Sequence, residues 1–209
     1  MQSQEGSKLG IKTSVFAVAI ITAAVVLAVT SVWNDSIIVD EVPHIGAGYS
    51  YLVKQDMRLN PEHPPLAKDL AAIPLLFVNL KQDVFNSEFW QTDINGQWNF
   101  GRRLIYNSGS PRLSSGEAGN DADLIKHLVK LPMLLFFILS AILIFKWARK
   151  LYGDTGAITA LILFSFSPTV IAHSRFVTTD MPALFGVLLA TYYFISYQKE
   201  PDHKKLLIA

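Results

Sequence analysis

Four long apolar stretches punctuate this chain, and the polar residues are gathered unevenly between them. The first, residues 13–33, is 21 positions without a charged side chain. About 20 apolar residues suffice to cross the hydrocarbon core of a bilayer. A cleaved secretory signal would have a shorter apolar core and a small-residue cleavage site. The second stretch covers residues 131–145 and extends through Trp147 and back toward Leu128. The third covers residues 157–172 and the fourth residues 181–197, with only a few polar residues between them, the spacing of a tight membrane hairpin. The pattern predicts an all-α, polytopic membrane protein with about four transmembrane helices.

Basic residues orient these spans. Lys8 and Lys12 precede the first, Lys146, Arg149 and Lys150 lie between the second and third, and Lys199, Lys204 and Lys205 follow the fourth. Cationic loops stay on the cytoplasmic side, so four spans place the N-terminus in the cytoplasm. Residues 34–127 then form a large outer loop, and the turn 173–180 lies on the same outer face.

Within that loop, residues 42–55 mix apolar and polar positions and are expected to form a helix lying along the membrane surface. Pro64-Pro65 stops a helix, and Pro65 can open the next one. Residues 66–80 are too short and too charged for a span and are expected to form a second interfacial helix. Residues 100–106 fit a short helix, and residues 108–123, rich in Gly and Ser, fit a flexible loop. The chain ends on Leu206-Leu207-Ile208-Ala209 after two lysines, which reads as the start of a fifth span and so as the N-terminal portion of a longer protein, one transmembrane domain over residues 1–209.

Composition narrows the chemistry. The chain is 51% hydrophobic and 17% charged, with a net charge of +1, so no global basic field points to nucleic acid. It has no cysteine, which excludes disulfides, thiolate catalysis and thiolate metal ligation. The densest chemistry follows the first span: Asp40-Glu41, then Glu62-His63-Pro64-Pro65. Ionised groups at a membrane edge are costly unless paired or used. Asp40 and Glu41 could equally be an N-cap and a first-turn acid. His63 could be a packed turn histidine, His44 a structural one, and Arg175 an interfacial anchor. Lys126 and Lys130 could be snorkelling anchors. Asp180 could open the fourth helix with Pro182 in its first turn. Two histidines with Asp40, Glu41 and Glu62 match no tight metal-ligand spacing.

Two segments together carry a family resemblance. Asp40-Glu41-Val42-Pro43-His44, followed by His63-Pro64-Pro65-Leu66-Ala67-Lys68, resembles the protein O-mannosyltransferases and their bacterial relatives. Ser174-Arg175-Phe176-Val177-Thr178-Thr179-Asp180 is similar to that family's later Ser-Arg-Phe…Asp stretch. The resemblance covers roughly residues 37–182 and implies a GT-C glycosyltransferase. Such an enzyme moves a sugar, mannose in the named family, from a polyprenyl-phosphate donor to a hydroxyl of a protein, lipid or glycan at the outer face, with inversion. It implies residence in a bacterial inner membrane and leaves room for a divalent cation.

The reaction needs a base at the acceptor, positive charge on the departing phosphate and anions near an oxocarbenium-like carbon. Asp40 fits the base, and Glu41 fits an acceptor-holding or neighbour-steadying acid. His63, Lys130, Arg175 and Asp180 fit donor and phosphate binding. The family tends to carry arginine where Lys130 stands, and a lysine lacks arginine's bidentate fork. Two other readings stay open: a transporter or channel subunit, whose acids would sit at mid-span, and an inactive assembly fragment.

Overall fold

The computed structural model describes residues 2–93, 95–106, 120–202 and 204. Most of the loop expected at 108–123 and the apolar end at 206–209 lie outside the described residues. Those described form helices and connecting turns, without a strand: α1 (Gln2–Val32), α2 (Glu41–Lys54), α3 (Pro65–Ala72), α4 (Glu88–Gln91), α5 (Gln97–Tyr106), α6 (Ala122–Ser165), α7 (Pro168–Ser174) and α8 (Asp180–Lys199). Two 3-10 turns, Ile73–Phe77 and Asp83–Asn86, fall between α3 and α4. The chain divides into two compact units. One comprises Met1–Ser31, Leu134–Ser174 and Asp180–Ala209, the other Val32–Met133 and Arg175–Thr179.

In the first unit, α1 buries a single stripe, Ala17, Ile20, Ala24 and Ala28, at helical spacing. Its other faces expose Ile11, Val15, Phe16, Val18 and Val26. Apolar exposure on that scale is suited to lipid rather than water. Ile11–Val32 and Ala122–Ser165 are the two helices, among the described residues, long and apolar enough to cross a membrane. The sequence predicts four.

The 44-residue α6 explains much of the difference. Gly153 interrupts it at φ 71°, ψ −168°, a backbone that only glycine adopts without strain. Phe137 stacks on Phe164 with ring centroids 5.8 Å apart. In one straight helix these residues would stand about 40 Å apart. Ala141 and Phe145 share a core with Ala157 and Leu161, and with Ala17 and Ile20 of α1. So α6 is a helical hairpin turned at Gly153. Its first arm holds the predicted second span. Its second arm, followed by α7 after a break at Ser167-Pro168, holds the predicted third. At the turn, Asp154 accepts hydrogen bonds from Thr13 Oγ1 (2.8 Å) and Arg149 Nε (2.6 Å). The α8 helix packs on the first arm through Phe136–Phe185 and Trp147–Tyr192, so these two run parallel.

The second unit is built around α2. The sequence predicts a helix lying on the surface, but every residue from Glu41 to Tyr51 is buried. The cause is coverage by α3 on one side and α5 on another, elements that the polar 82–123 region does not advertise. Two glycines permit this. A Cβ on Gly48 would stand 2.1 Å from the Lys68 carbonyl oxygen, and one on Gly101 2.2 Å from that of Val42. Gln55, at φ 57°, ends α2 in the left-handed conformation. As expected, Pro65 occupies the first turn of α3. The predicted second interfacial helix is shorter than 66–80: α3 ends at Ala72 and passes into a 3-10 turn at Pro74. An aromatic cluster of Tyr49, Phe85, Trp90 and Phe100 closes the unit.

Candidate active site at the head of the buried helix

The second unit gathers the Asp-Glu pair, the His-Pro-Pro turn, the start of α6 and the segment Arg175–Thr179. Glu41 is its knot. The side chain is fully buried. One carboxylate oxygen accepts from the Ile38 N–H (2.9 Å), the other from the Val177 N–H (2.8 Å). Lys130 Nζ lies 3.2 Å from the first of these oxygens, itself almost wholly buried. That approach is outside hydrogen-bond angles, so the contact is an ion pair rather than a directed bond. Lys130 also stands 5.5 Å from the Phe176 ring centroid. Glu41 thus joins positions 136 residues apart. Both of its oxygens are committed to these contacts.

Asp40 precedes this knot and differs from it in environment. It occupies the N-cap position of α2, yet its side chain makes no capping hydrogen bond. It is exposed. The first turn is steadied by Glu41 reaching back to Ile38 instead, so the Asp40 carboxylate is not consumed by the helix end.

The cations assigned from sequence are both held by acids. Lys130 has Glu41. The Arg175 guanidinium bonds the Asp35 carboxylate and lies 4.9 Å from the Phe176 ring. Arg175 holds the Asp35 carboxyl below the usual carboxylate range, mainly through that hydrogen bond. Sequence reasoning passed over Asp35; its only signal was a second acid close to the end of the first span. Lys126 donates to Trp33 O (3.2 Å) and Asp123 (2.8 Å), and His127 stacks on Trp33.

His63 is exposed on its turn. Its ring sits 5.0 Å from that of His44, tilted by 46°. Burial, then the neighbouring His63 and Lys68, push His44 down to about 4, so it is neutral near pH 7. The turn is held from below by Lys68, which is 1% exposed. Its ammonium donates to Asn60 O (2.7 Å), His63 O (2.8 Å), Tyr51 Oη (3.0 Å) and Asn60 Oδ1 (3.2 Å). Burial pushes Lys68 below the usual lysine range. Asn60 adopts φ 49°, a left-handed conformation that asparagine tolerates better than most residues. It donates to Gln97 (2.6 Å), and Gln97 in turn to Glu62 (3.0 Å). The sequence signal for Lys68 was the one cation, next to Asp69, in a mostly apolar helix.

Asp180 belongs to the first unit, where it begins α8 and lies 3.3 Å from His173 Nδ1. No group of three or more histidines and acids able to hold a metal occurs among the described residues.

A cavity of about 310 Å³ opens beside the acid pair, lined by Ile37, Val39, Val42, Trp98, Arg102 and Tyr106. The last three follow at every fourth position and so share one face of α5.

Comparison with known proteins bears on this arrangement. The model of the dolichyl-phosphate-mannose-protein mannosyltransferase family matches residues 126–209. Over that segment, which contains the Ser174–Asp180 motif, the family resemblance read from the sequence is borne out; the motifs at 40–44 and 63–68 lie outside it. No curated protein and no solved structure matches the chain.

Proposed function

We propose that this chain belongs to a membrane glycosyltransferase that uses a polyprenyl-phosphate sugar. The observation that carries the reading is the Glu41 knot. It joins the acid pair after the first span to the segment inside the family match, while leaving the neighbouring Asp40 carboxylate exposed. Asp40 takes the proton from an acceptor hydroxyl. The freed oxygen attacks the anomeric carbon from the face opposite the phosphate. The carbon–oxygen bond to the phosphate breaks, and its electron pair leaves with the lipid phosphate, so the configuration inverts. Lys130 and Arg175 supply positive charge around the site, each balanced by a carboxylate. In this reading His63, exposed on the Lys68-held turn, donates a hydrogen bond to the donor. Asp180 supports the first turn of α8 and keeps a donor-side role only in this proposal.

Four antiparallel passes fit the same reading: α1, the two arms of α6 with α7 continuing the second, and α8. The Thr13–Asp154–Arg149 cluster puts the start of α1 and the basic run 146–150 at one end of the first unit. That supports a cytoplasmic N-terminus under the positive-inside rule. A mannosyl donor and a protein acceptor follow the description of the matching family, and residence in a bacterial inner membrane rests on the sequence resemblance alone.

The test is Asp40→Asn in the full-length protein. Membranes carrying it should lose transfer from a lipid-linked mannose to an acceptor hydroxyl by at least about 10²-fold, as expected for removal of a general base. Insertion and melting should be unchanged. Normal turnover in that variant would remove Asp40 from the role of base.

A further inference from the structure

Resting on that functional reading, we infer that Arg102, at the mouth of the α2–α5 cavity, is the residue that contacts the phosphate of the lipid donor directly. The cavity is walled in part by the residues that flank the acid pair in sequence, Val39 before it and Val42 after it. Lys130 and Arg175 already answer to Glu41 and Asp35. Arg102 is exposed and has no acid or hydrogen-bond partner among the described residues. It stands one turn from Trp98 and one from Tyr106, with Ile37, Val39 and Val42 completing the wall.

That lining has a definite preference. A single guanidinium suits one phosphate, which it can bind through two parallel N–H bonds. The remaining wall is aliphatic and aromatic, suited to a hydrocarbon chain rather than to a hydrated sugar or a second charge. A phosphate esterified to an apolar chain meets both demands. Trp98 is amphipathic, a side chain of the kind enriched at lipid headgroups.

Binding by the purified full-length protein would be measured calorimetrically with farnesyl phosphate, farnesol and inorganic phosphate. The proteins compared are the wild type, Arg102→Gln and Arg102→Lys. Arg102→Gln should weaken farnesyl phosphate at least about tenfold, the order expected for losing a charge-assisted bidentate contact. Arg102→Lys should recover part of it, and farnesol should bind all three alike. In transfer assays the donor KM should rise and kcat should fall with it, because negative charge builds on the departing phosphate in the transition state. Because the side chain is exposed, the melting temperature should not move. Unchanged farnesyl phosphate affinity in Arg102→Gln overturns the inference, and the glycosyltransferase reading survives if Asp40→Asn still abolishes transfer. Inorganic phosphate binding as tightly as farnesyl phosphate would reduce the cavity to a plain anion site and also overturn it. So would a rise confined to the acceptor KM. A wild type that neither binds farnesyl phosphate nor transfers sugar sinks both proposals.

Discussion

Removing the Glu41 carboxylate should cost far more stability than removing that of its neighbour. Glu41→Ala strands the Lys130 ammonium in a site where its side chain is 4% exposed. It also strands the N–H groups of Ile38 and Val177. Breaking one side of a buried ion pair costs about 3–5 kcal/mol. The orphaned N–H groups put the loss toward or above the upper figure, at about 1–3 kcal/mol for each buried group left unsatisfied. For a chain of this size each kcal/mol is worth about 2–4 °C of melting temperature. Glu41→Ala should therefore melt roughly 10–20 °C lower in detergent, followed by tryptophan fluorescence. Asp40→Asn should melt with the wild type. The double variant Glu41→Gln/Lys130→Met is the internal control. It removes both charges while keeping an acceptor for one N–H, and should recover most of the loss, because a buried pair replaced as a pair is close to neutral. A Glu41→Ala protein melting within a degree or two of wild type would refute the knot. A double variant less stable than either single change would refute the pairing.

Other consequences are simpler to state. His44 is held neutral, with its folded pKa at about 4 against 6.5 unfolded; the unfolded chain therefore binds more protons between those values. Its contribution to stability is complete above about pH 6.5 and falls away toward pH 4, with Asp40 and Glu62 opposing and His63 and Lys68 reinforcing the shift. A melting temperature that falls over that window in the wild type, and falls less in His44→Gln, is expected; identical slopes would exclude His44 as the cause. Lys68→Met should remove the ammonium's bonds to the carbonyls of Asn60 and His63 and cost about 2–4 kcal/mol, lowering the denaturant midpoint. Gly101→Ala should drive a methyl into the Val42 carbonyl and cost at least about 2 kcal/mol, whereas Gly186→Ala, with open space around it, should change little.

Patterning alone determined the helical class and the order of the motifs. Hydrophobic runs of about 20 residues can bury their backbone in lipid only as helices, so the first span and the first arm of α6 were legible at once. Pro65 and Gly153 carry backbone restrictions of their own, and only the first of these was read in advance. The candidate base was legible because an unexplained acid at a membrane edge is rare. The burial of Glu41 was not. Adjacent carboxylates look equivalent in sequence, and only the arrival of Val177 and Lys130 from distant parts of the chain buries one and leaves the other in the open. The same holds for the cations. Composition cannot say which of Lys130, Arg175 and Arg102 is already neutralised by a carboxylate, since pairing depends on which acids the fold brings within a few ångströms. Burial of α2 escaped prediction for a related reason: an amphipathic helix at an interface and one roofed by two neighbours share a sequence pattern, and the difference lies in glycines whose missing side chains let backbones touch.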